Sequence, residues 1–141
     1  MSHVLDASVG FKALVTEINS DKAIRLIDDY RNAVVALIAP DFYPFEVAHS
    51  LTRAERQGRI TPAEGAKLLA MLLRDLPKLH SVFPLLPRAF EISSQARAGI
   101  FDCLYVALAE QENCDLVTAD TRLIRTLQPR FPFIVDLAML P

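Results

Sequence analysis

Short apolar segments with the character of β-strands alternate with longer helical patterns along the whole chain, which restricts the fold more than any other feature. Residues 33–39 are continuously apolar and partly β-branched, and Pro40 ends the segment. This is typical of a strand buried on both faces of a parallel sheet. Because helical segments separate the strands, the sequence predicts a mostly parallel α/β sheet with helices on both faces. The other predicted strands are residues 3–6, 79–83, 116–118 and 133–135.

Helix signals occupy the segments between the strands. Thr61, Pro62 and Glu64 form the pattern of a capping box, which starts a helix that runs to about Asp75. The other predicted helices cover residues 8–16, a segment capped by Ser20 or Asp21, and residues 44–57, 86–98, 101–113 and 121–127. No linker interrupts the 141 residues, so we expect a single domain over residues 1–141.

Composition excludes several classes of protein. Apolar residues make up 52% of the chain and charged residues 23%, a balance that excludes a disordered tail and permits a sizeable core. The 15 basic and 17 acidic residues give a net charge of -2. The chain therefore has no generally basic surface for nucleic acid, and any such contact must come from a local patch.

The sequence also predicts a cytoplasmic protein with no membrane association. No apolar run reaches the roughly 18 residues that a membrane span needs, and His3 and Asp6 stand where a signal peptide would be basic or apolar. Cys103 and Cys114 lie on one predicted helix, roughly 16 Å apart at about 1.5 Å per residue. That distance is too long for a disulfide unless the helix prediction is wrong, so we expect reduced thiols.

Four of the 17 carboxylates occur in apolar surroundings: Asp6, Glu46, Asp102 and Asp120. Burying an unpaired carboxylate costs several kcal/mol, so each of these needs a cation, a hydrogen-bond network or a raised pKa. Asp6 and Asp120 stand at the carboxyl ends of predicted strands, while Glu46 and Asp102 stand in the first turns of predicted helices. In a parallel sheet these positions open on one edge, so we expect the four side chains to converge.

A structural explanation exists for each acid taken alone. Asp120 could cap the following helix, Asp102 could complement a helix dipole, and Glu46 could pair with Arg53. Four acids on one edge, with too few basic residues nearby to neutralise them, instead favour a divalent cation. Carboxylates without Cys or converging His select Mg²⁺ or Mn²⁺ over Zn²⁺, and such ions support phosphodiester hydrolysis.

The segments around these acids resemble those of PIN-domain ribonucleases, specifically toxins of the VapC type. The resemblance covers essentially the whole chain and is carried by residues 4–8, 39–41, 45–48, 101–109 and 116–123. It implies a PIN-like three-layer α/β/α sandwich in which the four acids bind the metal and catalyse. It further implies that Ser8 and Thr118 orient ligands or a water from nearby. Phe101 and His49 stand where the family often has Tyr and Asn.

The resemblance also implies a function and its partners. The chain would be a Mg²⁺- or Mn²⁺-dependent endoribonuclease, the toxin of a type II toxin–antitoxin pair, forming a homodimer and blocked by a small antitoxin protein. The alternative is a PIN-like module that binds RNA or protein without cutting.

A local basic region is the candidate surface for the RNA substrate. Between His49 and His80 the chain has six basic residues and three acidic ones, a balance that could steer an RNA backbone toward the acids. Arg122 follows the fourth acid closely and could approach a phosphate there. The candidate RNA contacts are Arg53, Arg56 and Arg122.

Overall fold

The computed structural model describes the whole chain, Met1 to Pro141. Its five strands are β1 (Ser2–Leu5), β2 (Ala36–Pro40), β3 (Lys78–His80), β4 (Asp115–Thr118) and β5 (Ile134–Asp136). Its seven α-helices are α1 (Ala7–Leu14), α2 (Ser20–Arg31), α3 (Tyr43–Arg56), α4 (Pro62–Arg74), α5 (Leu86–Ala96), α6 (Ile100–Glu112) and α7 (Thr121–Leu127). Two short 3₁₀ turns, Phe83–Leu85 and Leu137–Met139, complete the secondary structure.

The five strands form one parallel sheet in the order β3-β2-β1-β4-β5. β1 is central, and Val4 pairs with Ile38 on one side and with Leu116 on the other. Adjacent side chains in a strand point to opposite faces of the sheet, and Val4 and Leu5 are both fully buried. Both faces are therefore covered, which confirms the predicted α/β sandwich with a parallel sheet.

Helix α6 anchors one side of this core. All residues from Cys103 to Ala109 are buried, and the helix packs against β1, β2 and β4. A helix that is apolar all round must be enclosed on all sides, which explains the unbroken apolar sequence of this segment. The burial fixes the first turn of α6, and with it Asp102, at the carboxyl edge of the sheet.

Two strand predictions need correction. The strand predicted at 33–39 begins only at Ala36, because residues 33–35 close the end of α2 instead of pairing in the sheet. Ala33 has a left-handed φ of 57°, and the N–H of Val34 donates to the carbonyl oxygen of Asp29 at 2.8 Å. The strand predicted at 79–83 is wrong beyond His80, since Phe83–Leu85 forms a 3₁₀ turn in which Pro84 has no N–H for a sheet.

The remaining predicted boundaries lie within two residues of the observed ones. The capping box of α4 is formed as predicted: the Glu64 N–H donates to the Thr61 hydroxyl at 3.1 Å, and the Thr61 N–H donates to the Glu64 carboxylate at 3.0 Å. Cys103 and Cys114 are free thiols. The prediction that one helix carries both is wrong, because α6 ends at Glu112 and Cys114 lies two residues beyond it. None of the helices has both the length and the apolar character that crossing a membrane requires.

Candidate active site

The four predicted acids converge at the carboxyl edge of the sheet. They come from four separate elements: the ends of β1 and β4, and the first turns of α3 and α6. Together they line one open cavity of about 500 Å³, which we call the acidic cavity. Its walls also include Ser8, His49 and the aromatic side chains of Phe42, Phe45 and Phe101. The order of the strands thus brings together side chains that are far apart in the sequence.

Asp6 is buried, and one of its two carboxylate oxygens carries all of its hydrogen bonds. The hydroxyls of Ser8 and Thr118 donate to Oδ2, the latter at 2.8 Å, and the Ser8 N–H contacts the same oxygen at 3.4 Å. Ser8 Oγ accepts a hydrogen bond from the Ala119 N–H at 2.9 Å, and Thr118 Oγ1 accepts one from the Asp120 N–H at 3.0 Å. This network holds the carboxylate in place and leaves Oδ1 without a hydrogen-bond donor.

Asp120 both caps a helix and lines the acidic cavity. Its Oδ1 atom accepts hydrogen bonds from the N–H groups of Arg122 at 3.0 Å and Leu123 at 3.2 Å, which caps α7. Its Oδ2 atom accepts none. The structural explanation of Asp120 is therefore correct, and it is compatible with ligand binding through the second oxygen.

Tyr105 positions Glu46 through a hydrogen bond from its buried hydroxyl, a role that was not predicted from the sequence. Its hydroxyl accepts a hydrogen bond from the Ala7 N–H at 3.2 Å and donates to Glu46 Oε1 at 2.8 Å. The side chain is 1% exposed. The available signal was its spacing, because Tyr105 follows Asp102 by three residues on α6 and such residues share a helix face.

None of the four acids forms an ion pair. The pair between Glu46 and Arg53 that the sequence left open is absent. The Arg53 guanidinium instead donates to His49 Nε2, at 3.4 Å. The negative charge of the acidic cavity is therefore not neutralised by a lysine or arginine of the same chain.

Burial and this uncompensated charge raise the pKa values of three of the acids. Burial, reinforced by the negative charges of the other three acids, raises the pKa of Glu46 to about 7, although the hydrogen bond from Tyr105 opposes the shift. Burial and repulsion from Asp6 and Asp120 raise the pKa of Asp102 to about 6, with Arg122 opposing. Burial also raises the pKa of Asp6. Such a site favours either protons or a cation.

The donors in the acidic cavity fit a hard divalent cation. They are eight carboxylate oxygens, and five of them carry no hydrogen bond: Asp6 Oδ1, Glu46 Oε2, both oxygens of Asp102, and Asp120 Oδ2. No three His, Cys, Asp or Glu side chains of the chain are grouped so that they could hold a metal ion. This arrangement suits Mg²⁺, which keeps several waters and uses one or two carboxylates together with substrate phosphates.

Two exposed aromatic rings stand at the mouth of the acidic cavity. Phe45 is 75% exposed and Phe101 is 53% exposed. Phe101 packs edge-on against Phe42 with ring centres 5.0 Å apart, and Phe42 packs in the same way against Tyr105 at 5.3 Å. These edge-on contacts extend from the buried Tyr105 to the half-exposed ring of Phe101 at the surface.

The three candidate RNA contacts occupy different positions. Arg53 lines a second cavity next to the acidic one, whereas Arg56 is exposed on the same helix and lines neither of these two cavities. Arg122 follows Asp120 at the start of α7, and its charge lowers the pKa of Asp102. Arg53 therefore lies beside the acidic cavity, and Arg122 lies close enough to Asp102 for its charge to act on that carboxyl group.

Comparison with known proteins gives the family. Residues 3–127 match the family model of the PIN domain. The chain is 36% identical over 132 residues to ribonuclease VapC9 of Mycobacterium tuberculosis, covering 94% of this chain and 96% of the relative. The structure of PAE2754 from Pyrobaculum aerophilum superposes with a TM-score of 0.70 at 20% identity, covering 98% of this chain and 85% of that one. VapBC2 from Rickettsia felis, solved bound to a DNA fragment from its promoter, gives a TM-score of 0.66 at 14% identity, covering 96% and 97%. The match along nearly the whole chain confirms the resemblance found in the sequence: this chain belongs to the PIN-domain family and has VapC ribonucleases among its relatives.

Proposed function

We propose that this chain is a Mg²⁺- or Mn²⁺-dependent endoribonuclease and the toxin of a VapBC-type toxin–antitoxin pair. The proposal depends above all on one observation, the convergence of four carboxylates from four separate elements in one cavity without a basic partner. Relatives that are named ribonucleases support the activity. A module that binds without cutting is disfavoured, because four mutually repelling acids would then cost stability without any return.

In this proposal Asp6, Glu46, Asp102 and Asp120 are the catalytic acids, and one or two of these carboxylates would hold the cation together with waters and substrate phosphates. When bound, the cation supplies positive charge to the phosphate oxygens and lowers the pKa of a coordinated water. The chain's own contribution is to hold the carboxylates ready. Ser8 and Thr118 fix Oδ2 of Asp6, and the Tyr105 hydroxyl fixes Oε1 of Glu46. Oxygens fixed in advance need no reorganisation when charge develops on the scissile phosphate.

The proposal includes the partners and the compartment that the sequence predicts. Residues 1–141 form one domain that acts in the cytoplasm, where the two free thiols stay reduced. The likeness in fold to VapBC2 supports an antitoxin partner. A homodimer is supported by three exposed apolar side chains close together in the sequence, since such patches are commonly covered by a second chain: Phe83, Leu86 and Phe90.

Removing divalent cations tests the proposal directly. With a structured RNA as substrate, we expect excess EDTA to reduce cleavage by about a hundredfold or more relative to Mg²⁺, because the cation supplies most of the charge stabilisation. Asp6→Ala should lose activity to a similar extent in the presence of Mg²⁺. The control is Glu112→Gln, an exposed acid at the end of α6, which should cleave like the wild type. Equal cleavage in Mg²⁺ and in EDTA would rule out the proposed metal dependence.

Removing the Tyr105 hydroxyl should weaken cation binding and cleavage without leaving a void in the hydrophobic core. In Tyr105→Phe the ring packing against Phe42 remains, while Glu46 loses its donor and the Ala7 N–H loses its acceptor. We expect both Mn²⁺ affinity, measured by titration calorimetry, and the cleavage rate to fall by about tenfold to a hundredfold.

The matched control for this change is Tyr30→Phe. The Tyr30 hydroxyl donates to the carbonyl oxygen of Leu76 at 2.9 Å, away from the acidic cavity, so the same atom is removed at a different place. The control should keep wild-type cation affinity and cleavage. If Tyr105→Phe behaves like Tyr30→Phe, the hydroxyl has no part in positioning Glu46.

A further inference from the structure

A second cavity of about 420 Å³ adjoins the acidic cavity and shares Ser8 and Ser50 with it. We call it the basic groove, because three of its lining residues carry positive charge and only one carries negative charge. The charged lining residues are Lys12, Arg53, Arg59 and Glu17. A net positive groove thus opens directly into a net negative cavity.

Two of the three cations form a fixed wall of the basic groove. Glu17 holds Lys12 at 3.3 Å and Arg59 at 2.7 Å. The Arg59 guanidinium also lies over the ring of Phe11, 5.8 Å from its centre. These contacts come from α1 and from the loops that follow α1 and α3, so the wall is assembled from distant parts of the sequence.

Arg53 lies where the two cavities meet. It belongs to α3, lines the basic groove and forms no ion pair. Its guanidinium is 3.4 Å from Nε2 of His49, which lines the acidic cavity. An exposed arginine without a carboxylate partner can offer its planar fork of donors to a phosphate.

We infer that the basic groove binds the phosphate backbone of a single RNA strand as it leaves the acidic cavity, with Arg53 contacting a phosphate next to the scissile one. The inference rests on the proposed function, because an RNA chain cut at its interior must continue beyond the cut on both sides. The acidic cavity itself repels a polyanion, so affinity for the strand must come from positive charge outside it. The volume suits a ligand of small-molecule size, which a nucleotide unit of a single strand satisfies and a duplex does not.

The test is RNA binding under conditions that prevent cleavage. A fluorescent single-stranded RNA of about twelve nucleotides is titrated with the full chain in EDTA, with its integrity checked on a gel, over a range of salt concentrations. We expect Arg53→Gln to weaken binding about threefold to tenfold and to reduce the magnitude of the salt slope by roughly 0.7, the value for one phosphate contact on a single strand. Arg53→Lys, which keeps the charge, should recover part of the affinity.

Removing a negative charge from the basic groove should strengthen RNA binding. Glu17→Gln removes the only negative charge of the basic groove, and we expect it to tighten RNA binding about twofold to fivefold. The matched control is Arg125→Gln, an exposed arginine on α7 that lines neither of the two cavities and forms no ion pair. It should change affinity less than twofold, which is smaller than the effect expected at Arg53.

Unchanged affinity and salt slope in Arg53→Gln would overturn the inference. So would the finding that a glutamate-rich peptide, and not RNA, binds in a manner that depends on Arg53, since the groove would then belong to a protein partner. The two proposals can fail separately. If the wild type cleaves only in Mg²⁺ and Arg53→Gln binds RNA normally, the proposed RNA binding by the basic groove is wrong, while the proposed active site is retained. If Arg53→Gln weakens RNA binding but no cation supports cleavage, the proposed metal-dependent cleavage is wrong, while RNA binding by the basic groove is retained.

Discussion

Replacing Asp102 by Asn will reduce Mg²⁺-supported RNA cleavage by roughly a thousandfold or more, while the metal-free protein keeps or gains thermal stability. The loss of activity follows from removing one of four carboxylates that line the acidic cavity. The gain in stability follows from removing a buried charge and its repulsion, since burial and the charges of Asp6 and Asp120 raise the pKa of Asp102 in the folded chain. Asn keeps the shape of the side chain and removes its charge.

The stability difference between Asp102→Asn and the wild type, both without metal, depends on pH. The pKa of Asp102 rises from 3.8 to about 6 on folding, so between these values the folded state binds more protons than the unfolded state. The free energy of unfolding of the metal-free wild type therefore falls as the pH rises through this range. Glu46, whose pKa rises from 4.5 to about 7, adds a second fall in the same direction. The gain in free energy of unfolding of Asp102→Asn over the metal-free wild type should be small at pH 4 and largest above about pH 7.

Thermal unfolding in EDTA at pH 5 and pH 8, together with a cleavage assay in Mg²⁺, measures both parts of this prediction. Glu112→Gln removes an exposed acid from the last turn of the same helix and should change neither cleavage nor the pH dependence. A strong drop in the melting temperature of metal-free Asp102→Asn at pH 8 would assign Asp102 a structural role. Wild-type cleavage by this variant would remove it from the active site.

The position of the four acids was predictable because it depends on local rules. Asp6 and Asp120 end apolar strands, Glu46 and Asp102 begin helices, and parallel strands all end at the same edge of the sheet. These rules give the common edge, whereas the closeness of the acids within one cavity also depends on β1 lying between β2 and β4. The unbroken apolar character of α6 likewise predicted burial without any knowledge of its neighbours.

Features that depend on contacts between distant residues escaped prediction. Tyr105 contacts Ala7 and Glu46, which lie 98 and 59 residues away. Its spacing from Asp102 places it on the same helix face, but that spacing does not show which distant groups its hydroxyl contacts. The basic groove has the same origin, because Arg59 is 42 residues from the Glu17 that holds it. β2 begins later than predicted for a different reason. Residues 33–35 have strand-like composition, but their N–H groups donate to carbonyl oxygens at the end of α2 and cannot pair in the sheet.

Replacing Gly10 by Ala will destabilise the protein by about 1–3 kcal/mol, although alanine is the better helix former. Gly10 lies inside α1 where this helix packs against α3. A Cβ atom there would lie 2.1 Å from the hydroxyl oxygen of Tyr43 and 2.9 Å from its Cζ. Tyr43 is 1% exposed, so its ring has little room to move away. The strain outweighs the helix-propensity gain of about 1 kcal/mol.

The substitution should also reduce cleavage, because α1 is capped by Asp6 and α3 carries Glu46, and the spacing of the two helices sets the spacing of these acids. Chemical denaturation and the Mg²⁺-dependent cleavage assay measure the two effects. Tyr43→Phe removes the oxygen that the new methyl group meets first. Combined with Gly10→Ala, it should therefore recover part of both stability and activity.

The matched control is Gly65→Ala in α4. Its Cβ would lie 3.0 Å from a Glu55 carboxylate oxygen, the mobile end of a long side chain, and 3.8 Å from Ile60 Cδ1. Because Glu55 can move aside, the helix propensity of alanine decides the outcome, and we expect stability to rise by up to about 1 kcal/mol. The same substitution within two helices is thus expected to change stability in opposite directions. Only Gly10→Ala, on the helix that Asp6 caps and next to the helix that carries Glu46, should affect cleavage. Equal stability changes in the two variants would show that a Cβ atom at Gly10 meets no strain from Tyr43. Unchanged cleavage by Gly10→Ala would show that the spacing of α1 and α3 does not control the geometry of the acidic cavity.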